Sequence, residues 1–569
     1  MSKNPKIDTF RALLEASRRG RDAAFDQIPL WRAQYGGSHD IDGGAPAPVV
    51  RNITYELIES QVSTAIPAPR VEPEVLTPRH ERNARAVEEL CLSLRNKLQI
   101  ERINDLDERT TYIEGGDLFF AEWDERAGGV RLLSMSAYDF FPQPGVFHIE
   151  DMDWMILRFY ATREELLAKY GKAPEPAEGE TGPLPLYLAL YRGTGRGIGL
   201  FLWSGDVTLL DMPDYYARRR RVCMRCGATV AGETCSCGGK TAELIDDFET
   251  LTVPVTVGQG DEAVTLPAGT RLPWYKPRRY PVVVRKNTSR HGSVLGQSDC
   301  AFIRCHQQEI NKIESRIHEK LLSSGVFAVK PEGVSFEYDN TVGERVLNVP
   351  RDHSAADFGT VDTTPDVRQE QAQSDRLYEQ AKRLLGITDS YQGLSDGTAA
   401  SGVAKEAQIK QAAGRLDSKR VMKSAAYADV DRLFFELYLA FADGPQPLVS
   451  TDALGRRQAG CFDRYQFLEP DGAGGYAYHD AYLFAADLAG GAEQSREAIW
   501  QRNRENLQSG ALGDPKDPAT LLCYWRGQEA ARYPGARQNV AYFAWLCRDT
   551  AGNGARFDAS DDTGREVNA

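Results

Sequence analysis

A run without proline or glycine extends from Gln297 to Ser324 and places apolar residues at helical intervals. The apolar positions are Ile303, Ile310, Ile313, Ile317 and Leu321. At a rise of 1.5 Å per residue such a helix is about 40 Å long, and its apolar stripe is narrow. A long helix with so narrow a stripe buries too little surface alone, so we expect neighbouring subunits to cover it. A closed ring of identical chains would supply those neighbours.

Short strands and a second helix follow this first helix. Strand-like sequences occur at Val326–Val329, Val334–Tyr338 and Glu344–Val349, with turns between them. A second helical stretch runs from about Pro365 to Leu385. Because the two helices flank a compact β insert, this order predicts a stalk that carries the insert at its tip.

A loop of small residues then leads into a further long helix. Gly393, Gly397 and Gly402 in this loop would allow the backbone to move. The helix continues to Ala442, and a length of about 40 residues is far beyond the mean, so we expect a kink near Gly414. Three more helices are predicted after it, at 492–507, 518–532 and 536–548.

The first half of the chain mixes helical and strand patterns, which predicts an α+β fold. One amphipathic helix is expected over 8–35, and a long charged helix over Arg79–Asp107. Alternating patterns then predict strands, among them Gly116–Asp124, Val130–Met135 and Tyr280–Arg285.

Four cysteines in two close pairs are the sharpest chemical motif in the sequence. They are Cys223, Cys226, Cys235 and Cys237, they follow four consecutive arginines (218–221), and each pair ends in glycine. Paired thiolates at tight turns are typical of a tetrahedral Zn²⁺ site. Since a four-thiolate site has no open position for water, this zinc would be structural and would not catalyse. The arginines would bind acidic groups of a neighbouring subunit or be solvated.

Catalytic motifs are not evident elsewhere. The Lys240-Thr241 pair resembles the end of a phosphate-binding loop, but Thr234 stands where that loop requires glycine. Only eight histidines occur, and none forms a metal-binding pair on a helix. We therefore expect a protein that is not an enzyme.

Charge and hydropathy limit the remaining classes. The chain has 68 basic and 81 acidic residues, a net charge of −13, which argues against a surface that grips DNA through many phosphate contacts. It does not exclude DNA that passes nearby without being held. The sequence has neither an apolar run of membrane-spanning length nor a secretory signal, so a cytosolic protein is expected.

The order of these parts resembles a bacteriophage portal protein of the siphophage type. In the first half the resemblance is carried by Trp123-Asp124, 139–144 (DFFPQP), 162–166 (TREEL) and Tyr170-Gly171. Further on it is carried by Tyr280-Pro281, 296–298 (GQS) with 308–312 (QEINK), and 391–393 (YQG) with 398–404 (TAASGVA). The matching segments span roughly residues 50 to 440, and their ordered set is more specific than any one member.

The resemblance implies the named regions of a portal subunit. The wing would cover 1–296, with the zinc-binding insert at 218–241. The first stem helix would cover 297–325, the clip 326–363 and the second stem helix 364–386. The tunnel loop would be 387–401, the long kinked helix 402–442, and the wing end with a helical crown 443–569.

The resemblance also implies a role and partners. Twelve copies would form a ring around double-stranded DNA at the capsid vertex, for genome packaging, retention and ejection and for tail or connector attachment. Partners would be the large terminase, a head-tail adaptor, the major capsid protein and scaffolding proteins, in the host cytoplasm during assembly and then in the virion. The tunnel-loop candidates to face DNA are Tyr391, Gln392, Gly393, Ser395, Thr398 and Ser401, and the stem candidates are Lys312, Arg316 and Lys320.

Two alternatives stay open for the function, and one for the stem. A zinc-dependent nucleic-acid processing enzyme would require a catalytic carboxylate cluster that the sequence does not reveal. A zinc-ribbon adaptor protein would require no ring. For the three basic stem residues, the alternative to a DNA-facing stripe is an ordinary helix face that is solvated or salt-bridged to a neighbouring subunit.

Overall fold

Helices and strands are mixed along the chain, as the α+β prediction requires. The computed structural model describes residues 5–39, 49–125, 127–175, 182–193, 197–226, 235–258, 263–329, 359–387, 414–451, 457–472, 474–487, 496–530 and 535–552, and the single residues 228, 230, 331, 332, 352, 354, 356 and 533. No helix within these ranges is long and apolar enough to cross a membrane.

The helices of the described ranges are numbered in chain order. They are α1 (Pro5–Gly20), α2 (Ala24–Tyr35), α3 (Ile53–Glu59), α4 (Pro78–Lys97), α5 (Ile100–Glu114), α6 (Arg163–Tyr170), α7 (Asp299–Leu322), α8 (Arg368–Leu385), α9 (Gly414–Phe441), α10 (Arg496–Gln508), α11 (Pro518–Ala530) and α12 (Ala536–Gly552). The last three confirm the predicted C-terminal helices, with shifts of a few residues at their ends.

Two larger antiparallel sheets lie within residues 1–296, the part of the chain to which the resemblance assigns a wing and which is called the wing below. The first is a five-stranded meander of β4 (Phe140–Pro142), β5 (Trp154–Ala161), β6 (Leu184–Arg192), β7 (Ile198–Ser204) and β8 (Val207–Met212). The second places β2 (Gly116–Asp124) between β15 (Val282–Lys286) and β3 (Gly129–Ser136). The three strands predicted for this second sheet are thus confirmed.

The remaining strands form antiparallel pairs. These are β1 (Ala68–Pro73) with β22 (Tyr482–Asp487), β9 (Arg218–Cys223) with β10 (Thr241–Asp246), β11 (Phe248–Thr250) with β14 (Arg271–Pro273), β12 (Val255–Val257) with β13 (Val264–Leu266), β16 (Val326–Val329) with β17 (Gly359–Asp362), β18 (Gln446–Thr451) with β19 (Arg457–Phe462), and β20 (Leu468–Pro470) with β21 (Tyr476–Tyr478). The long helix α9 lies against β2, β15 and β22, and it buries Tyr427, Phe434 and Phe435 completely.

The prediction of a single helix over 8–35 is wrong, because the helix is interrupted between α1 and α2. The two helices serve different cores. Phe10 of α1 packs with Phe201 and Trp203 on one face of the five-stranded sheet. Phe25 and Trp31 of α2 belong to the main core. One straight helix could not reach both cores, so the tertiary packing overrides the continuous helical pattern.

The helix predicted over Arg79–Asp107 is also two helices. Helix α4 ends at Lys97 and α5 begins at Ile100, with Gln99 between them in the left-handed region at φ 51°. Neither glycine nor proline marks this break, so no local pattern predicts it.

The two helices predicted for the stalk are present in the second half, with a strand pair between them; the helix pair is called the stalk and the strand pair its tip. Helix α7 begins after Ser298, whose hydroxyl accepts a hydrogen bond from the Ala301 amide at 3.4 Å. Helix α8 ends at Gly386, which has a positive φ of 77°. Between the helices, β16 confirms the first predicted tip strand and pairs with β17. The other predicted tip strands, 334–338 and 344–349, lie outside the described residues.

The apolar stripe of α7 is covered largely from within the chain, so the expectation that neighbouring subunits must cover it is wrong at its central positions. Ile303 and Ile310 are fully buried in a cluster with residues of α3 and α8. These covering residues are Ile53, Leu57, Ala381 and Leu385. Only towards the tip does the stripe stay open, where Leu321 is 49% exposed. The sequence could not show that α3 lies against the stalk.

Candidate functional site

A β-hairpin brings the two cysteine pairs together. Strands β9 and β10 pair antiparallel, with Cys223 opposite Thr241 and Arg218 opposite Asp246. The chain therefore leaves strand β9 at the first pair, Cys223 and Cys226, and returns to the hairpin at strand β10 after the second pair. The Met224 amide donates to the Lys240 carbonyl at 2.9 Å and closes this end of the ribbon.

The four sulfur atoms form one compact cluster. The Sγ atoms of Cys223 and Cys237 are 3.4 Å apart, those of Cys226 and Cys235 3.6 Å, and those of Cys226 and Cys237 3.5 Å. All four lie within 4.8 Å of one another, and all four are free thiols. These distances exceed a disulfide bond and converge on one point, so the cluster could hold one metal ion. The predicted cysteine set is thus brought together in full.

Backbone amides prepare two of these sulfurs for ionisation. The N–H groups of Cys226 and Arg225 lower the pKa of the Cys223 thiol, and the N–H of Cys237 lowers the pKa of Cys235 to about 6. At Cys237 the Gly239 amide acts in the same direction, but the three neighbouring sulfurs outweigh it and raise the pKa to about 12. The Cys237 thiol therefore keeps its proton until a metal ion replaces it, so metal binding would release protons.

Gly239 gives the sulfur cluster the space that it needs. A Cβ at this position would lie 2.6 Å from the Cys223 sulfur and 2.7 Å from the Arg225 Cβ, both closer than van der Waals contact allows. We expect Gly239→Ala to weaken metal affinity at least about tenfold, because the Cys223 sulfur has to move away from the centre. Competition against a chromophoric chelator measures this loss.

Gly182→Ala is the matched control for Gly239→Ala. A Cβ at Gly182 meets no atom of the described residues within 4 Å. Its metal affinity should equal that of the wild type. Equal affinities for Gly239→Ala and Gly182→Ala would contradict the assigned role of Gly239.

The arginines before the cysteines contact their own chain. Arg218 pairs with Asp443 at 2.9 Å and stacks over Trp274, with its carbon Cζ 4.9 Å from the ring centre. Arg219 donates to the Asp214 carbonyl at 3.3 Å. Arg218 therefore fastens the hairpin to the end of α9, which neither predicted role for the arginines had included.

The chain after Lys240 excludes a phosphate-binding loop at this place. Thr241 opens strand β10, whereas a phosphate loop must lead into a helix whose N-terminus faces the phosphates. The rejection of that motif from the sequence is confirmed.

The three basic stem candidates have different surroundings. The Lys312 side chain is 70% exposed and pairs with Glu309 on its own helix at 2.8 Å. Arg316 is exposed, and Lys320 forms an ion pair with Glu370 of α8. Two of the three thus form salt bridges within their own chain, an arrangement that neither a DNA-facing stripe nor a salt bridge to a neighbouring subunit had included. The tunnel-loop candidates, from Tyr391 to Ser401, lie outside the described residues.

A buried ionic cluster joins the wing strands to α5. The Arg285 guanidinium of β15 pairs with both Asp107 and Glu108, and each of the three is at most 2% exposed. Burial lowers the pKa of Arg285 to about 10, so it keeps its charge at neutral pH. Lys423 of α9 adds a second cation, 2.7 Å from Glu108. The cluster thus ties three elements of the wing together.

A second buried cluster fixes the start of α7. The Asp299 carboxylate is fully buried and accepts hydrogen bonds from Lys419 of α9 at 2.6 Å and Asn287 at 2.8 Å. Gln61 also donates to it, at 3.1 Å. The Ser298 hydroxyl donates to the Ile113 carbonyl at 2.5 Å. The first turn of the stalk is therefore held inside the wing.

Sequence reasoning missed both clusters. Arg285 and Asp107 are 178 positions apart, and Lys419 and Asp299 are 120 positions apart, so no local spacing relates them. The one available sign was that Asp107 and Glu108 adjoin in a segment predicted to be helical, which is common on solvated helices.

No protein-family model matches the chain, and no curated protein matches it. Its function has to be inferred from its own architecture and residues.

Proposed function

We propose that the chain is a subunit of a bacteriophage portal, a ring-shaped DNA channel at the capsid vertex. The observation that carries the proposal is the antiparallel pair of α7 and α8, which bears the β16–β17 tip and rises from a mixed wing. Lys320 pairs with Glu370 near the tip, and Glu314 accepts from Ser374 at 2.7 Å further down. This arrangement matches the stem and clip that the sequence resemblance implies.

The beginning of α7 supports a load-bearing role for the stem. Asp299 and Ser298 are buried in the wing and bonded to elements from three other parts of the chain. A flexible recognition arm would not need such a base. A stem that keeps a fixed angle in a ring needs a rigid base, because each subunit must present the same surfaces to its neighbours.

The charge of the chain suits a conduit. A net charge of −13 argues against a lining that neutralises many phosphates, so DNA would slide through the ring instead of being held in it. Lys312 and Arg316, the two exposed residues among the three stem candidates, are the candidates to touch passing phosphates. In this role the protein has no catalytic activity of its own. It would depend on the large terminase for packaging and on capsid, scaffolding and adaptor proteins for assembly.

The ion in the cysteine cluster is proposed to be Zn²⁺. With zinc–sulfur bonds of about 2.3 Å, a tetrahedral thiolate site has sulfur–sulfur edges of about 3.8 Å. The closest pairs here are 3.4 to 3.6 Å apart, so small outward shifts complete the tetrahedron. Four sulfurs leave no position for a substrate or water, which favours a structural role within the wing.

Ring formation by the purified full-length chain tests the portal proposal. Negative-stain images should show rings, and mass photometry should show a species near twelve times the chain mass of 63.2 kDa. A protein that stays monomeric at every concentration, with no ring views, would overturn the proposal. A nucleic-acid processing enzyme would instead reveal itself by turnover of DNA or RNA by the chain alone.

A substitution on the stem sharpens this experiment. Phe302 lies on α7 outside the cluster formed with α3 and α8, and it is 42% exposed. Phe302→Glu should shift the ring population towards monomers without changing the helical content, because a neighbouring stem would have to bury the charge. Leu76→Glu is the control, since Leu76 is 80% exposed and lies outside the stem. Equal ring populations for the two variants would exclude the stem face as a ring interface.

A further inference from the structure

Two histidines and a glutamate meet where α4 begins. His80 lies in the first turn of α4, and its amide donates to the capping hydroxyl of Thr77 at 3.1 Å. Glu469 belongs to β20, and His479 follows β21. Although 389 positions separate His80 from Glu469, one nitrogen of each imidazole and one carboxylate oxygen lie within 4.8 Å of one another. The cluster is separate from the four cysteines.

The hydrogen bonds of His80 determine which of its nitrogens faces the glutamate. Nδ1 lies 3.0 Å from the Val75 carbonyl, which can only accept, so Nδ1 carries a proton. In the neutral ring Nε2 then presents a lone pair, and it lies 2.5 Å from the Glu469 carboxylate oxygen Oε1. Two acceptors at this distance repel each other unless a proton on Nε2 or a metal ion lies between or beside them. His80 is only 8% exposed, so water cannot readily relieve this repulsion.

The second imidazole has an unused nitrogen. His479 Nδ1 lies 3.4 Å from Glu469 Oε2, while its buried Nε2 has no hydrogen-bond partner among the described residues. The two imidazole rings are nearly parallel, at 4°, and their centres are 4.5 Å apart. Two imidazolium ions stacked so closely would repel each other, so protonation of both rings would replace one repulsion in the cluster with another.

We propose that His80, Glu469 and His479 bind a divalent transition-metal ion such as Zn²⁺. Two imidazoles and one carboxylate are a known zinc ligand set, which leaves a fourth position for water. The Val75 carbonyl fixes the His80 tautomer in the way that outer partners commonly orient a metal-binding histidine. Because the rings are parallel, His479 has to turn about its Cβ–Cγ bond, and this breaks its 3.4 Å contact with Glu469 and changes its ring contacts with His80 and Tyr482.

The ion would fasten the β20–β21 hairpin to α4. Arg79 already donates to the carbonyls of Gln466 and Leu468, at 2.9 and 2.6 Å, and so holds the backbone beside Glu469. These two hydrogen bonds hold the backbone next to Glu469 and do not involve its carboxylate oxygens. The proposal does not rest on the portal function or on the cysteine site.

Zinc content after equilibrium dialysis tests the proposal on the full-length chain. The wild type is compared with Glu469→Gln, His479→Gln and the control His148→Gln, whose histidine is exposed and outside the cluster. Wild type and control should hold one zinc more per chain than the other two variants, whose affinity at this site should be at least about tenfold weaker. The cysteine cluster contributes equally to all four proteins and cancels in the comparison.

Cobalt substitution identifies the site that is lost. The absorption lost in Glu469→Gln should lack sulfur-to-metal charge transfer, because no thiol belongs to this ligand set. Should His479→Gln fail to fold, as judged by circular dichroism, Glu469→Gln gives the same test with a side chain of nearly equal shape. Equal zinc contents in wild type and Glu469→Gln would overturn the proposal and leave a proton shared between His80 and Glu469.

Discussion

Arg285→Met lowers the free energy of unfolding by about 3–5 kcal/mol, as expected when one partner of a buried ion pair is removed. Among the described residues Arg285 is the only partner of the fully buried Asp107 carboxylate, which would be left without a counter-charge. Glu108 would keep Lys423 and the Tyr112 hydroxyl, which donates to it at 2.8 Å. Chemical denaturation followed by far-UV circular dichroism measures the loss, at one protein concentration because a ring adds to stability.

Two further variants separate the buried charge from the lost side chain. Arg131→Met removes an arginine that is 56% exposed and pairs with Glu122 at 3.4 Å, so it should cost at most about 1 kcal/mol. Combining Arg285→Met with Asp107→Asn should recover part of the stability, because a neutral amide needs no counter-charge. If Arg285→Met cost no more than Arg131→Met, the buried cluster would not have the stabilising role assigned to it.

Cys223→Ser should abolish ion binding at the cysteine cluster and unfold the hairpin around it. Structural zinc sites contribute about 10–16 kcal/mol of apparent binding free energy, far more than a two-stranded ribbon gains from its own pairing. Hydrogen exchange should therefore become fast for the amides of β9 and β10, while α7 keeps its protection. Metal analysis by mass spectrometry should show one ion fewer per chain.

Cys461→Ser is the matched control for this variant. Cys461 is an exposed thiol outside the cluster, and its replacement should change neither the metal content nor the exchange of β9 and β10. Removal of the ion from the wild type with a chelator should reproduce the Cys223→Ser pattern. A metal-free wild type with the same protection in both strands would show that the hairpin needs no ion.

The sequence predicted those parts of the fold that depend on local periodicity. Helix α7 was recognisable because its apolar residues repeat at helical intervals, and strand β2 because it contains a short continuous apolar run, 118–121. The break at Gln99 was not recognisable, because a residue other than glycine takes a left-handed backbone conformation there. Such a conformation is imposed by the different surfaces on which α4 and α5 pack, and a local pattern carries no information about them.

The same distinction applies to the sites. The cysteine cluster could be predicted because its ligands lie within fifteen residues of one another and bind through local turns. The Arg285 cluster and the His80 cluster depend on pairings between distant elements. Each member alone resembles an ordinary surface charge in the sequence, and only the tertiary fold reveals that it is buried and paired.

The buried start of α7 has a mechanical consequence. A helix with one end clamped in the wing and the other end free behaves as a lever, so a force at the β tip produces torque at Asp299. Lys419, which bonds to Asp299 at 2.6 Å, lies near the beginning of the described part of α9. A force transmitted along α9 would thus reach the same joint.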